Sequence, residues 1–109
     1  MYTPDNWVVV KIITEEGPLY KVLAGWSGGY LDGDRWQLNS GIVKVEQQGD
    51  YYLFYGYSGS CYKCHKEGYC IRGNTSGVWE WLKEKLKGNI EIVPEDTDWK
   101  ELFSVVKGE

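Results

Sequence analysis

An α+β domain is what this sequence predicts: an antiparallel β-meander sheet of about six strands, followed by two C-terminal helices packed on one face. Three observations carry this expectation. Apolar and alternating runs of strand length recur between Gly, Asn, Asp and Ser turns as far as Lys66. Fourteen glycines against three prolines supply many tight turns. Only beyond Thr75 does the apolar spacing change to a helical period. A chain of 109 residues reads as one domain, residues 1–109, able to bury a core without metal or disulfide staples. Six Trp and nine Tyr supply much of the area to be buried.

The first strands are Trp7 to Thr14 (WVVVKIIT) and Leu19 to Trp26 (LYKVLAGW), both β-branched and apolar. Glu15-Glu16-Gly17-Pro18 turns between them and makes a hairpin. Residues 27–34 form a glycine-rich loop that leads into a short strand, Arg35 to Leu38, and Asn39-Ser40-Gly41 turns again. Ile42 to Gln47 alternates apolar and polar residues, Gly49-Asp50 turns, and Tyr51 to Tyr57 (YYLFYGY) returns as a second hairpin. After Ser58-Gly59-Ser60, Cys61 to Lys66 forms the sixth strand.

Thr75 or Ser76 supplies the N-cap of the first helix, in which Trp79, Leu82 and Leu86 form a stripe and Gly88 is the stop. Asn89 to Val93 is short and apolar. Pro94 to Asp98 opens the second helix, with acids at its positive end and Trp99, Leu102, Phe103 and Val106 on one face.

A net charge of −4 argues against a protein bound chiefly to a nucleic-acid backbone. The charge is uneven: residues 51–76 carry Lys63, Lys66 and Arg72 against Glu67 alone, the only net-basic stretch. Met1 to Asn6 lacks a basic segment leading into an apolar run, and no stretch approaches the ~18 apolar residues of a membrane span. A cytoplasmic protein with no membrane partner is therefore expected. Its three cysteines, an odd number, are then free thiols or ligands.

Cys61-Tyr62-Lys63-Cys64-His65 has the C-x-x-C-H spacing of covalent haem attachment and holds the only histidine. Haem needs both thiols and the imidazole on one side, which a helix provides. On the expected strand, Cys61, Lys63 and His65 point one way while Tyr62, Cys64 and Lys66 point the other. Zinc on Cys61, Cys64 and Cys70, with His65, is a further reading. Structural zinc sites draw ligand pairs from separate knuckles, whereas these four lie within residues 61–70. Free cysteines ordinarily behave as small apolar groups, and no cofactor is expected.

Catalysis finds little support either. Along an extended strand Cys61 and His65 are ~13 Å apart, too far for a thiol–imidazole pair. The carboxylate pairs Glu15/Glu16, Asp32/Asp34 and Asp96/Asp98 fall in turns or at a helix start, where acids are common anyway. A binding protein is expected, not an enzyme.

Two binding surfaces are legible. Lys63, His65, Lys66 and Arg72 precede Asn74, Thr75 and Ser76, where a helix start offers backbone N–H groups to a phosphate or carboxylate. Tyr57, Tyr62 and Tyr69 are near enough in sequence to stack a flat ligand, though no Walker-type or dinucleotide fingerprint accompanies them. An ordinary edge strand also carries lysines. Trp26, Tyr30 and Trp36 flank the glycine-rich loop. Trp81 lies about 200° around the helix from Trp79, so one indole is left for solvent or another subunit. Exposed Trp and Tyr anchor protein interfaces, with a protein partner or in a homo-oligomer.

Residues 20–30 (YKVLAGWSGGY), 39–42 (NSGI) and 56–66 (GYSGSCYKCHK) resemble segments of uncharacterised small accessory proteins of tailed bacteriophages, a similarity covering roughly residues 7–82. The resemblance implies a virus-encoded protein acting in the host bacterial cytoplasm by binding, as such proteins do in host takeover or anti-defence. The partner is then a host protein that it inhibits. The alternatives are a small anionic ligand, such as a phosphate-bearing nucleotide held by the Lys/His/Arg cluster, or a zinc ion.

Overall fold

The run Trp7-Val8-Val9-Val10 shows no two-residue alternation because its strand is covered on both faces, and Asn6 to Val10 are all buried. The computed structural model describes residues 1–26 and 35–104, without the side chains of Asn74 and Ser104. Along these residues run β1 (Asn6–Thr14), β2 (Gly17–Trp26), β3 (Arg35–Leu38), β4 (Ile42–Gln48), β5 (Tyr51–Gly56) and β6 (Cys61–His65). A single 3-10 turn at Lys66–Gly68 leads on to α1 (Asn74–Lys85), β7 (Ile90–Ile92) and α2 (Trp99–Ser104).

The α+β architecture, its antiparallel pairing and its two C-terminal helices are those expected. The meander divides between two sheets, ordered β3-β2-β1-β7 and β4-β5-β6. In the first, β1 and β2 stay in register from Asn6↔Gly25 to Thr14↔Gly17, so the loop is Glu15-Glu16 alone. The short apolar stretch after α1 returns as β7 and pairs with the free side of β1.

Trp7, Val9, Val22 and Ala24 on one face of the four-stranded sheet pack with Phe54, Tyr62 and Cys64 of the second sheet. Trp99 and Phe103 of α2 complete that core. Val8, Val10 and Leu23 on the other face are covered by Leu82 of α1, with Val78, Trp79 and Leu86 beside it. The helices thus take opposite faces of the four-stranded sheet, which corrects the expectation that both lie on one. The cause is β1, whose two apolar faces each need a cover.

The start of α1 also differs from expectation. The helix begins at Asn74, with Gly73 (φ +57°) at the cap position and no side-chain cap. Thr75 is instead buried in the first turn, 1 % exposed. At the far end the Gly88 N–H donates to the Lys83 carbonyl (2.9 Å) with φ at +82°, the left-handed stop expected there. In α2, Asp98 Oδ1 accepts the Glu101 N–H, while Val106 lies outside the described residues. No helix among the described residues is long and apolar enough to cross a membrane.

Candidate functional site

Strand β6 carries the Cys-x-x-Cys-His string in the extended form, paired with β5 from Tyr55↔Cys61 to Tyr51↔His65. Tyr62 and Cys64 face the core at 2 % and 0 % exposure, while Cys61, Lys63 and His65 lie half-buried on the outer face. The two thiols therefore point apart, and Cys70 is exposed beyond the 3-10 turn. Among the described residues, no group of three or more His, Cys, Asp or Glu is placed to hold a metal ion. Burial pushes the Cys64 thiol well above its ordinary range and the Cys61 thiol up as well. Both shifts oppose the thiolate that nucleophilic chemistry requires.

The cationic cluster is drawn together only in part. Lys63 Nζ sits 4.8 Å from the centroid of the Tyr51 ring, and His65 meets the same ring edge-on at 4.9 Å. His65 Nδ1 accepts the Glu67 N–H, which closes the 3-10 turn. Lys66 turns to Asp50 in the β4–β5 loop, Nζ to Oδ1 3.4 Å. Arg72 and Ser76 are exposed, and the side chain of Asn74 lies outside the described residues. The Thr75 hydroxyl is committed to the interior: it donates to the Arg72 carbonyl (2.7 Å) and accepts from Asn6 Nδ2 (3.1 Å). The N–H groups of Thr75 and Ser76 already donate to the carbonyls of Arg72 and Gly73. Few donors at this helix start remain for an anion.

The aromatic residues divide more sharply. Trp36 on β3 and Trp81 on α1 line one groove, together with Ile12, Leu38, Leu82 and Leu86, of about 540 Å³. They are 41 % and 50 % exposed. The helical period explains the choice of indole: Trp79 packs on the core beside Leu82, which leaves Trp81 outward with Lys85 Nζ 5.4 Å from its ring. Trp26 belongs elsewhere. Its Nε1 donates to the Thr3 carbonyl (3.1 Å), and the Arg35 guanidinium lies 5.0 Å over its ring. Tyr30 lies outside the described residues.

A second concavity, also about 540 Å³, has Trp7, Tyr52, Tyr69 and Trp99 in its walls. Glu67, Glu95 and Asp96 line it too, with Lys66 as the one ammonium. The Trp7 indole donates to the His65 carbonyl at 2.7 Å. The Tyr69 hydroxyl accepts the Val9 N–H (3.1 Å) and donates to the Val93 carbonyl, bridging β1 to the segment after β7. Burial raises the Tyr69 phenol to about 12, and the nearby Glu95 charge adds to the shift. No sequence signal marks this site, because its four rings come from four separate segments. Comparison with protein-family models, with curated proteins and with solved structures finds no match to this chain.

Proposed function

We propose that this is a phage accessory protein that acts in the host bacterial cytoplasm by binding, and so inhibiting, a host protein. The partner docks in the groove between β3 and α1. The observation that carries this reading is the convergence of Trp36 and Trp81, half-exposed and on different elements, around four aliphatic side chains. Single exposed aromatics are common on any surface, but a contiguous apolar groove with two indoles has the composition of an interface centre. Buried Trp anchors each contribute roughly 2 kcal/mol or more in such centres. Gln37 and Lys85, which line the same groove, supply its polar edge. The phage setting rests on the likeness of residues 20–30, 39–42 and 56–66 to phage accessory proteins.

The test is affinity capture in a bacterial host with three forms of the protein: wild type, Trp36→Ser with Trp81→Ser, and Tyr57→Ser. Tyr57 is exposed but lines neither concavity, so it controls for stickiness. A host protein retained in fixed ratio by wild type and Tyr57→Ser, and lost from the double variant at unchanged melting temperature, is the expected outcome. Equal retention by the double variant removes the groove from the account.

A further inference from the structure

We infer that the partner enters the Trp36–Trp81 groove as an extended segment and adds to the outer edge of β3 as an antiparallel strand. This rests on the reading of that groove as the docking site and specifies what fills it.

β3 ends its sheet and pairs with β2 alone. The Asn39 N–H donates to the Val22 carbonyl at 3.0 Å, one step beyond the Leu23↔Leu38 pair. Antiparallel pairs alternate between bonded and non-bonded. Gln37 and Arg35 therefore direct their main-chain groups to β2, while Trp36 and Leu38 direct theirs outward. Among the described residues, no main-chain group bonds to β3 from that outer side. The outer edge of β6 is closed by contrast. There the Lys63 N–H donates to the Tyr2 carbonyl at 2.7 Å, and the Tyr2 N–H donates to the Cys61 carbonyl at 2.9 Å. Open edges are ordinarily covered in this way or interrupted by proline, and β3 carries no proline.

The two residues that turn their backbone outward also line the groove with their side chains. A strand added there bonds its residues i and i+2 to Leu38 and Trp36. The side chains of both then lie on the α1 face, beside Trp81. A helix laid in the groove leaves those main-chain groups to water. Edge addition takes its affinity from them and its specificity from alternate side chains. Charge completes the description of the segment. Lys85 is the charged residue in the lining, and Arg35 stands exposed at the start of β3. Neither is in an ion pair among the described residues. The segment therefore carries apolar side chains at i and i+2, with carboxylates beside them.

A displayed library of random peptides, selected on the full chain, tests this. The tightest peptide lost by the Trp36→Ser, Trp81→Ser protein is then synthesised and N-methylated one residue at a time for calorimetric titration. Enriched peptides should alternate apolar and polar residues and include Asp or Glu. N-methylation of either groove-facing apolar residue should weaken binding about tenfold or more, because it removes a donor to β3. N-methylation of the residue between them should change affinity by no more than about twofold, since its N–H points away from β3. The inference is overturned if apolar residues recur three and four apart, if the methyl series shows no alternation, or if no groove-dependent peptide is enriched. It is also overturned if the chain alone dimerises through Trp36 and Trp81, which makes a second copy the occupant. A strand-like peptide without a host protein retained by the groove removes the host partner and leaves edge addition standing. A retained host protein with helix-spaced peptides does the reverse.

Discussion

The side-chain amide of Asn6 donates to the hydroxyl of Thr75 at 3.1 Å, joining residues 69 positions apart where β1 meets the first turn of α1. Both are buried, and the same amide also donates to the Cys70 carbonyl at 3.2 Å. Gly25, paired with Asn6 in register, makes room for the contact: a Cβ there would lie 2.5 Å from Thr75 Cγ2 and 2.9 Å from Asn6 Oδ1. Asn6→Ala and Thr75→Val each cost about 1–3 kcal/mol, because each strips partners from buried polar groups. Gly25→Ala costs about 1–3 kcal/mol by overpacking. Urea midpoints should fall with the slope unchanged. The double variant Asn6→Ala, Thr75→Val should cost less than the two single changes together, since they share one contact. Strict additivity would deny the coupling.

Tyr69 gives the stability a pH signature. Burial raises its folded-state pKa to about 12 from an ordinary 10.0. The folded state therefore favours the neutral phenol. Its contribution is complete below pH 10.0 and is lost as pH rises through the folded value of about 12. Tyr69→Phe removes the bridge between Val9 and Val93, costing about 1–3 kcal/mol near neutrality. The same change should flatten the alkaline decline. Unfolding free energies of both proteins, measured from neutral pH into that window, test this directly. Identical alkaline slopes would remove Tyr69 from the account.

The three cysteines should separate by reactivity. Cys70 is exposed, Cys61 half-buried and Cys64 fully buried, so timed alkylation read by mass spectrometry should label them in that order. Cys64 should react only as fast as the chain opens. Cys64→Ser places a hydroxyl in the core at a cost of about 1–3 kcal/mol, whereas Cys70→Ser should stay within about 0.5 kcal/mol. Labelling of Cys64 as fast as Cys70 would place β6 in a different register.

Local signals read well from the chain, and tertiary ones do not. The Gly49-Asp50 turn, the place of the first turn (Glu15-Glu16, tighter than the expected Glu15 to Pro18), the alternation of Cys61 to His65 and the outward aim of Trp81 depend on neighbours a few residues away. The split into two sheets depends on β7 returning to β1 across most of the chain, which no local period records. The doubly apolar β1 conceals which face takes which helix. Thr75 has the side chain of a cap, but the buried Asn6 claims its hydroxyl. Half of the interface set converges, Trp36 with Trp81, because burial of Trp79 and Leu82 forces the outward aim of Trp81. Lys63, Lys66 and Thr75 scatter because each finds a nearer partner: Tyr51, Asp50 and Asn6.

The claim that the groove between β3 and α1 docks a host protein is tested most directly by site-specific photocrosslinking in the bacterial host. A photoreactive phenylalanine analogue is placed in turn at positions 36, 81 and 57. Positions 36 and 81 should yield a covalent adduct with one and the same host protein, and position 57 should yield none. Adducts of equal strength from position 57, or none from 36 and 81, would contradict it.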